Sequence, residues 1–426
     1  MTETTRSKKR KKRKFRKFLF WFVFALVALT GIIAIINAVS LKKNNDFIED
    51  KVEEVVYENK LVPEIGEDEN FTFTTDEDFK IMQLTDIHLG AGALTVENDN
   101  KALNAVAAMI TEEKPDLVVV TGDISFPVPY SAGTFNNRHS AIMFARLMEK
   151  LGVYWCLTFG NHDTEAYSYY SRKAVAKIYE NREKYPHCLF MSGNENVSGN
   201  GNYIINIKNS EGKITESLFM FDSHSYTNGD LLGIFWKYDC IHEDQVKWYT
   251  KQVSALTDSN GGETPKSLAF FHIPPVEMKE AYEEYKNAGY KDTKNVKLVY
   301  GKIGEGDDLI CSGNKNYGIF EAFQKNNTQG AFFGHDHLNT LSVDYKGVRL
   351  TYGYSIDYLA YSGIENFGLQ RGCTIITVHP DGSFENHGES YYQDKYTPIN
   401  KKETVDLEHD MSEIKGTTVS PFKKDE

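Results

Sequence analysis

Five short blocks hold the side chains able to do chemistry. They are Asp86-Ile87-His88, Gly122-Asp123, Gly160-Asn161-His162-Asp163, His272 within FFHIPP, and Gly334-His335-Asp336-His337. Together they offer imidazoles, carboxylates and one carboxamide. That mixture suits borderline ions such as Mn, Fe, Zn, Co or Ni better than Ca or Mg, which prefer all-oxygen shells. Two ions roughly 3.5–4 Å apart need about eight N and O donors and one bridging carboxylate, because a shared anion offsets the repulsion between the cations. Taken singly, a Gly-Asp or an Asp-x-His in a loop is more often a turn or a cap. The joint occurrence is what points to a site. No Gly-x-Ser-x-Gly nucleophile motif accompanies them.

The elements that must position these blocks are legible as apolar runs. FKIMQLTD, DLVVVTGD, VYWCLTFGNHD, SLFMFDS, SLAFFHIP, GAFFGHDH, VRLTYGYS and GCTIITVHP read as strands, nearly continuous in apolar residues as strands buried on both faces are. DNKALNAVAAMITEEKPD sets Leu103, Val106, Ala107 and Ile110 on one helical face, and RHSAIMFARLMEKLG and HEDQVKWYTKQVSAL behave alike. Strands alternating with helices predict a layered α/β domain, in which ligands sit beyond the carboxyl ends of the strands. All five blocks fall at such ends.

In this order the blocks resemble the calcineurin-like metallophosphoesterase superfamily: D-x-H, G-D, G-N-H-[DE], a lone H, then G-H-x-H. The text around FDSHSY, YDCIHEDQVKWY, AFFHIPP and ICSGNKNYGIFEAF is similar to a branch related to purple acid phosphatases. The resemblance implies a four-layer α/β/β/α sandwich with two mixed sheets. It implies two divalent transition-metal ions, with Mn, Fe or Zn expected. Asp86, His88, Asp123 and His337 would hold the first, and Asp123, Asn161, His272 and His335 the second. It also implies hydrolysis of phosphate mono- or diesters by a hydroxide bridging the ions, with His162 assisting the leaving group and Asp163 fixing the tautomer of His162. One departure is informative: the purple enzymes carry a tyrosinate three residues after the bridging Asp, where this chain has Phe126. Phe126 cannot ligate, so no obligate ferric ion is implied.

The chain's 426 residues carry a net charge of −12, unevenly spread. Residues 1–17 hold ten Lys and Arg and one acidic residue, leaving a strongly acidic remainder. An acidic body repels phosphate backbones, so no nucleic-acid-binding surface is expected. The basic leader precedes an uncharged stretch at 18–41, which as a helix would extend about 36 Å and could cross a bilayer. Basic flanks stay in the cytoplasm, so the expectation is a single-pass signal anchor with the body outside the cell. The alternative is secretion after signal cleavage, although a cleaved apolar core usually runs about 7–15 residues. The division expected is a basic leader at 1–17, an anchor at 18–41, an acidic stalk at 42–73, the catalytic domain at 74–396 and a polar tail at 397–426. Five irregularly spaced cysteines contain no C-x-x-C pair, which argues against a zinc ribbon or thioredoxin-like site.

Weaker candidates are His224 and Tyr226 in FDSHSY as substrate contacts, Asp336 as a group orienting its histidine neighbours, and Arg371 as a structural residue. The segment from Val276 to Tyr317 reads as a wall for the pocket or a surface insertion. Two other functions compete: a phosphoprotein phosphatase of the same superfamily, and a tethered non-catalytic protein with structural metals. Neither the physiological substrate nor the oligomeric state is legible.

Overall fold

The computed structural model describes residues 3–66, 68–230, 233, 235–361, 364 and 371–402. Alternation of side chains along each strand builds the layers. Five strands form one sheet, in the order β14-β13-β3-β4-β5: β3 (Phe79–Leu84), β4 (Leu117–Thr121), β5 (Trp155–Thr158), β13 (Gly372–Val378) and β14 (Phe384–Ser390). Nine form the other, in the order β1-β2-β6-β7-β8-β10-β12-β11-β9. They are β1 (Glu64–Ile65), β2 (Phe71–Thr74), β6 (Tyr203–Lys208), β7 (Ile214–Met220), β8 (Lys266–Phe270), β9 (Val296–Tyr300), β10 (Thr328–Phe333), β11 (Ser342–Tyr345) and β12 (Val348–Tyr352). Both sheets are mixed. β3, β4 and β5 run parallel, with Val118 opposite Trp155, whereas β13 runs antiparallel to β3. β7, β8, β10 and β12 are parallel neighbours.

Successive residues of one strand enter different cores, as the two-residue period requires. Leu218 and Met220 join a core with Ile81 and Val118, while Phe219 and Phe221 join a second with Tyr249, Met278 and Phe323. The first lies between the sheets and extends to α2 (Val96–Glu113) and α4 (Asn137–Leu151). The second lies beneath α6 (Glu243–Ser259), α7 (Val276–Asn287) and α8 (Ile319–Lys325). The result is helix, sheet, sheet, helix, as the sequence implies. Each fully buried Phe or Leu contributes roughly 1.5–3 kcal/mol relative to exposure. All five cysteines are free thiols, with Cys156, Cys188 and Cys373 in the core.

α1 runs unbroken from Glu3 to Lys51 and is long and apolar enough to cross a membrane; its most apolar stretch is not buried in the protein. Its last turns pack on α2 and α4. Ser40, Asn44, Phe47, Ile48, Val52 and Val55 are buried there, and β2 enters the nine-stranded sheet. The acidic segment 42–73 is therefore docked on the main domain along much of its length. Of the expected tail, residues 403–426 lie outside the described residues.

Candidate metal and phosphate site

Every block sits just past the carboxyl end of a strand. Asp86 and His88 follow β3, Asp123 follows β4, and Asn161, His162 and Asp163 follow β5. His272 follows β8, and His335 and His337 follow β10. Donors from both sheets thus meet at one end of the sandwich. Asp86, His88, Asp123 and His335 all hold positive φ, at 50°, 53°, 54° and 81°. Such backbone costs about 1–3 kcal/mol per non-glycine residue and persists where the surroundings over-determine it. Two block glycines permit the close approach. A Cβ on Gly160 would lie 2.1 Å from Asp123 Oδ1, and one on Gly334 would lie 1.9 Å from Thr85 Oγ1.

The structure brings all seven expected donors into two groups that share Asp123. Asp86, His88 and His337 cluster on one side, and Asp123, His272 and His335 on the other, while His162 comes within reach of His88 and Asp123 between them. His272 Nε2 is 3.1 Å from Asp123 Oδ2 and 3.1 Å from Asn161 Oδ1, and His335 Nδ1 is 3.3 Å from His272 Nε2. His88 Nε2 is 3.4 Å from Asp123 Oδ2, and His337 Nε2 is 3.6 Å from Asp86 Oδ1.

The proton inventory says what belongs between them. His272 Nδ1 lies 2.8 Å from the Thr121 carbonyl, which can only accept, so Nδ1 carries the proton and Nε2 presents a lone pair. Asn161 Nδ2 donates to Tyr226 Oη at 3.1 Å, which turns Oδ1 inward. His88 Nδ1 and His337 Nδ1 face Asp357 carboxylate oxygens at 3.3 and 2.8 Å, so their Nε2 atoms also offer lone pairs inward. Acceptors therefore face acceptors at 3.1–3.6 Å. Two donors each about 2.1 Å from one ion and 90–110° apart lie roughly 3.0–3.4 Å from each other, so the spacing fits a cation in each group. Without cations, protons take up part of the strain. Burial opposes charge on His272, but Asp123 beside it overcomes that and lifts the imidazole to about 9. Burial likewise works against the Asp123 carboxylate, yet His272 and His162 hold it well below the usual range.

His162 borders a cavity of about 730 Å³ that also receives His335, His337, Tyr226, Tyr238 and Glu305. Its ring centroid is 5.4 Å from that of His88, and Phe126 packs 4.9 Å from each of the two rings, occupying the tyrosinate position with an apolar ring. Asp163 does not orient His162, contrary to the sequence expectation. Its buried carboxylate accepts the backbone N–H groups of Asp123, Ser125 and Gly160 at 3.0, 2.9 and 2.8 Å, tying the loops after β4 and β5 together. Burial and the Asp123 charge push its carboxyl up to about 6. The carboxylate beside His162 is Glu165, whose Oε1 lies 2.8 Å from Nδ1 and accepts the Tyr226 hydroxyl at 3.0 Å.

Tyr226 is thus at the site, but His224 is not. The His224 ring stacks on His242 at 4.0 Å, and Nε2 lies 3.0 Å from Gln245 Oε1, away from the cavity. Asp336 does not orient its histidine neighbours either. It accepts Tyr352 Oη at 2.6 Å and the Cys311 N–H, pinning the 276–317 segment, from which Glu305, Leu309 and Cys311 wall the cavity. Arg371 is fully buried and structural: it donates to the Asp357 carbonyl at 3.1 Å and to Tyr392 Oη at 2.7 Å. Three contributors escape a reading of the blocks: Glu165, Asp357 and Arg172, which donates to the Gly160 carbonyl at 2.7 Å and pairs with Asp222.

The calcineurin-like phosphoesterase profile matches residues 79–339. "Probable inactive purple acid phosphatase 28" of Arabidopsis thaliana is 26% identical over 315 residues, 68% of this chain and 73% of that protein. "Phosphatase DCR2" of Saccharomyces cerevisiae is 28% identical over 287 residues, 62% of this chain and 45% of that protein. The crystal structure of a dimetal phosphatase from Danio rerio superposes with a TM-score of 0.47 at 12% identity, covering 75% of this chain and 98% of that one.

Proposed function

The chain belongs to the calcineurin-like phosphoesterase family, and from that premise we propose a membrane-anchored phosphoesterase whose domain faces the outside of the cell and hydrolyses phosphate mono- or diesters. The observation that carries the reading is the convergence of donors around Asp123, with the His162 imidazole within reach of His88 and Asp123 and facing the cavity. Asp86, His88, Asp123 and His337 would hold one ion, and Asp123, Asn161, His272 and His335 the other. When bound, such ions supply Lewis acidity, which polarises the phosphoryl oxygen and makes a water acidic enough to attack phosphorus near neutral pH.

The remaining work falls to side chains. Glu165 holds Nδ1 of His162, which leaves Nε2 to give a proton to the departing ester oxygen. Tyr226 locks the Asn161 amide with its oxygen inward. Asp163 and Arg172 fix the loop that carries both. Anchoring is supported by the basic leader and the unburied apolar length of α1, and the leader's charge argues for a cytoplasmic N-terminus.

The test is hydrolysis by the full chain in detergent. A chromogenic phosphomonoester and its diester would be offered after chelation and re-addition of Mn, Fe or Zn, with bound metal measured in parallel. Turnover that returns with metal, vanishes in Asp123→Asn, and falls in His162→Ala with both ions retained supports the reading. Two bound ions without turnover on esters or phosphopeptides would favour a tethered binding protein instead, a reading to which the word inactive in the names of three relatives gives some weight.

A further inference from the structure

We propose that the substrate is a phosphorylated lipid of the outer leaflet, delivered to the site along the membrane helix. The inference rests on the phosphoesterase reading and adds the substrate class. About 20 residues cross a hydrocarbon core, so a span beginning at Phe18 ends near Asn37. There the helix meets the domain: Asn37 Nδ2 donates to the Gly133 carbonyl at 3.2 Å, and its Oδ1 accepts the Ala93 N–H at 2.8 Å. A carboxamide at the end of the apolar stretch thus fixes two site-proximal loops at the membrane's edge. One continues from His88 and the other from Phe126. Two turns later Asn44 repeats the clamp on Val96 and Asn100.

Between the helix and these loops lies a cavity of about 630 Å³, mostly apolar, lined on the helix by Ile33 and Ala34, on the loops by Leu94 and Phe135, and by Tyr169 from the segment after β5. Pro129 and Phe135 line both this cavity and the one that holds His162. The two are therefore neighbours across a shared wall, one opening on the helix and the other on the candidate metal donors. Around them large side chains, three of them aromatic, are exposed: Tyr130 is 84% accessible, Tyr169 68%, Trp236 66% and Leu94 65%. Aromatic side chains with polar tips suit the headgroup level of a bilayer. A soluble phosphate ester gains nothing from such a rim and meets an acidic body. A lipid keeps its chains in the apolar groove and presents its phosphate past Phe135. Water oxygen joins phosphorus as one ester P–O bond breaks and the leaving oxygen takes a proton; from a monoester the lipid alcohol stays in the membrane and phosphate leaves, and from a diester the products are an alcohol and a phosphomonoester.

The full chain in phosphatidylcholine vesicles would be given dioleoyl phosphatidic acid or dioleoyl phosphatidylglycerol, each against its dihexanoyl counterpart below the micellar threshold. The expected result is at least ~30-fold higher kcat/KM for one long-chain ester, and a fall of ~10-fold or more in the long-to-short ratio in Leu94→Asp. Equal use of both chain lengths, with a ratio unmoved by Leu94→Asp, would overturn the lipid inference and leave the hydrolase reading intact. A phosphatidic acid with a photoreactive acyl chain supplies an activity-independent readout. Labelling of residues 30–37 or 129–136 above that by photoreactive phosphatidylcholine would uphold the lipid site even if neither ester turned over. Labelling no stronger than with phosphatidylcholine, in the absence of turnover, would sink it.

Discussion

Asp357 offers the sharpest test of the site, because five donors converge on its two oxygens. Oδ2 faces His337 Nδ1 at 2.8 Å and accepts the Tyr361 N–H at 2.9 Å. Oδ1 faces His88 Nδ1 at 3.3 Å and accepts the N–H groups of Leu359 and Ala360 at 2.9 and 2.8 Å. In Asp357→Asn one oxygen becomes an NH2 group, which repels donors. The less costly placement keeps the oxygen where three donors meet and turns the NH2 toward His337 and Tyr361. His337 then loses the partner that fixes its tautomer and raises its basicity. Loss of such a partner typically lowers metal affinity about 10–100-fold, or roughly 1.4–2.7 kcal/mol. Asp357→Ala frees both imidazoles, and if their losses add, the effect reaches ~10²–10⁴-fold. Only the ion between Asp86, His88 and His337 should weaken. The assay is a two-step Zn or Mn titration of the metal-free full chain against a chromogenic chelator. Two wild-type affinities in Asp357→Asn would refute the reasoning, and so would weakening confined to the ion near Asn161, His272 and His335.

The remaining tests probe other parts of the molecule. Glu165→Gln should lower turnover about 10–100-fold while both ions stay bound, since the carboxamide holds the His162 ring less firmly than the carboxylate; loss of metal with activity would show that Glu165 holds the fold and not the imidazole. Glu216 in β7 is buried with no hydrogen-bond partner among the described residues, and burial raises its carboxyl well above the ordinary value of 4.5, only partly offset by Lys266. The folded chain then keeps a proton that the unfolded chain has released, so this group's stabilisation, present below pH 4.5, fades as pH rises through the folded pKa. Glu216→Gln should therefore match wild type near pH 4 and exceed it by about 1–3 kcal/mol near pH 8, and equal Tm differences at both pH values would contradict this. Chelation should lower Tm, because each ion at 100 times its Kd adds about 2.7 kcal/mol; an unchanged Tm in EDTA would mean that the donors are not occupied.

The strands that carry the site were legible because they are parallel and buried on both faces, so their apolar runs are nearly unbroken and end where the polar blocks begin. β9, β11 and β14 escaped because they pair antiparallel and mix polar with apolar residues. The candidate donors were legible as types at fixed spacings. Their supports were not, since each acts through one or two contacts from anywhere in the chain. Asp357 lies far beyond the last block, with no neighbouring motif. The error over Asp163 has a geometric cause. His162–Thr164 is a turn of 3-10 helix, in which side chains three apart eclipse. Glu165 therefore falls beneath His162, while its chain neighbour Asp163 points inward to the backbone.

The seam between the sheets has a consequence for timing. Asp86, His88, Asp123 and Asn161 issue from the five-stranded sheet, whereas His272, His335 and His337 issue from the nine-stranded one. Asn161 and His272 are 111 residues apart, so during synthesis the early donors wait, incomplete, while β6, β7 and β8 are still being made. Neither half holds a full set on its own. Metal uptake would then come last, as a check that both halves have closed on each other.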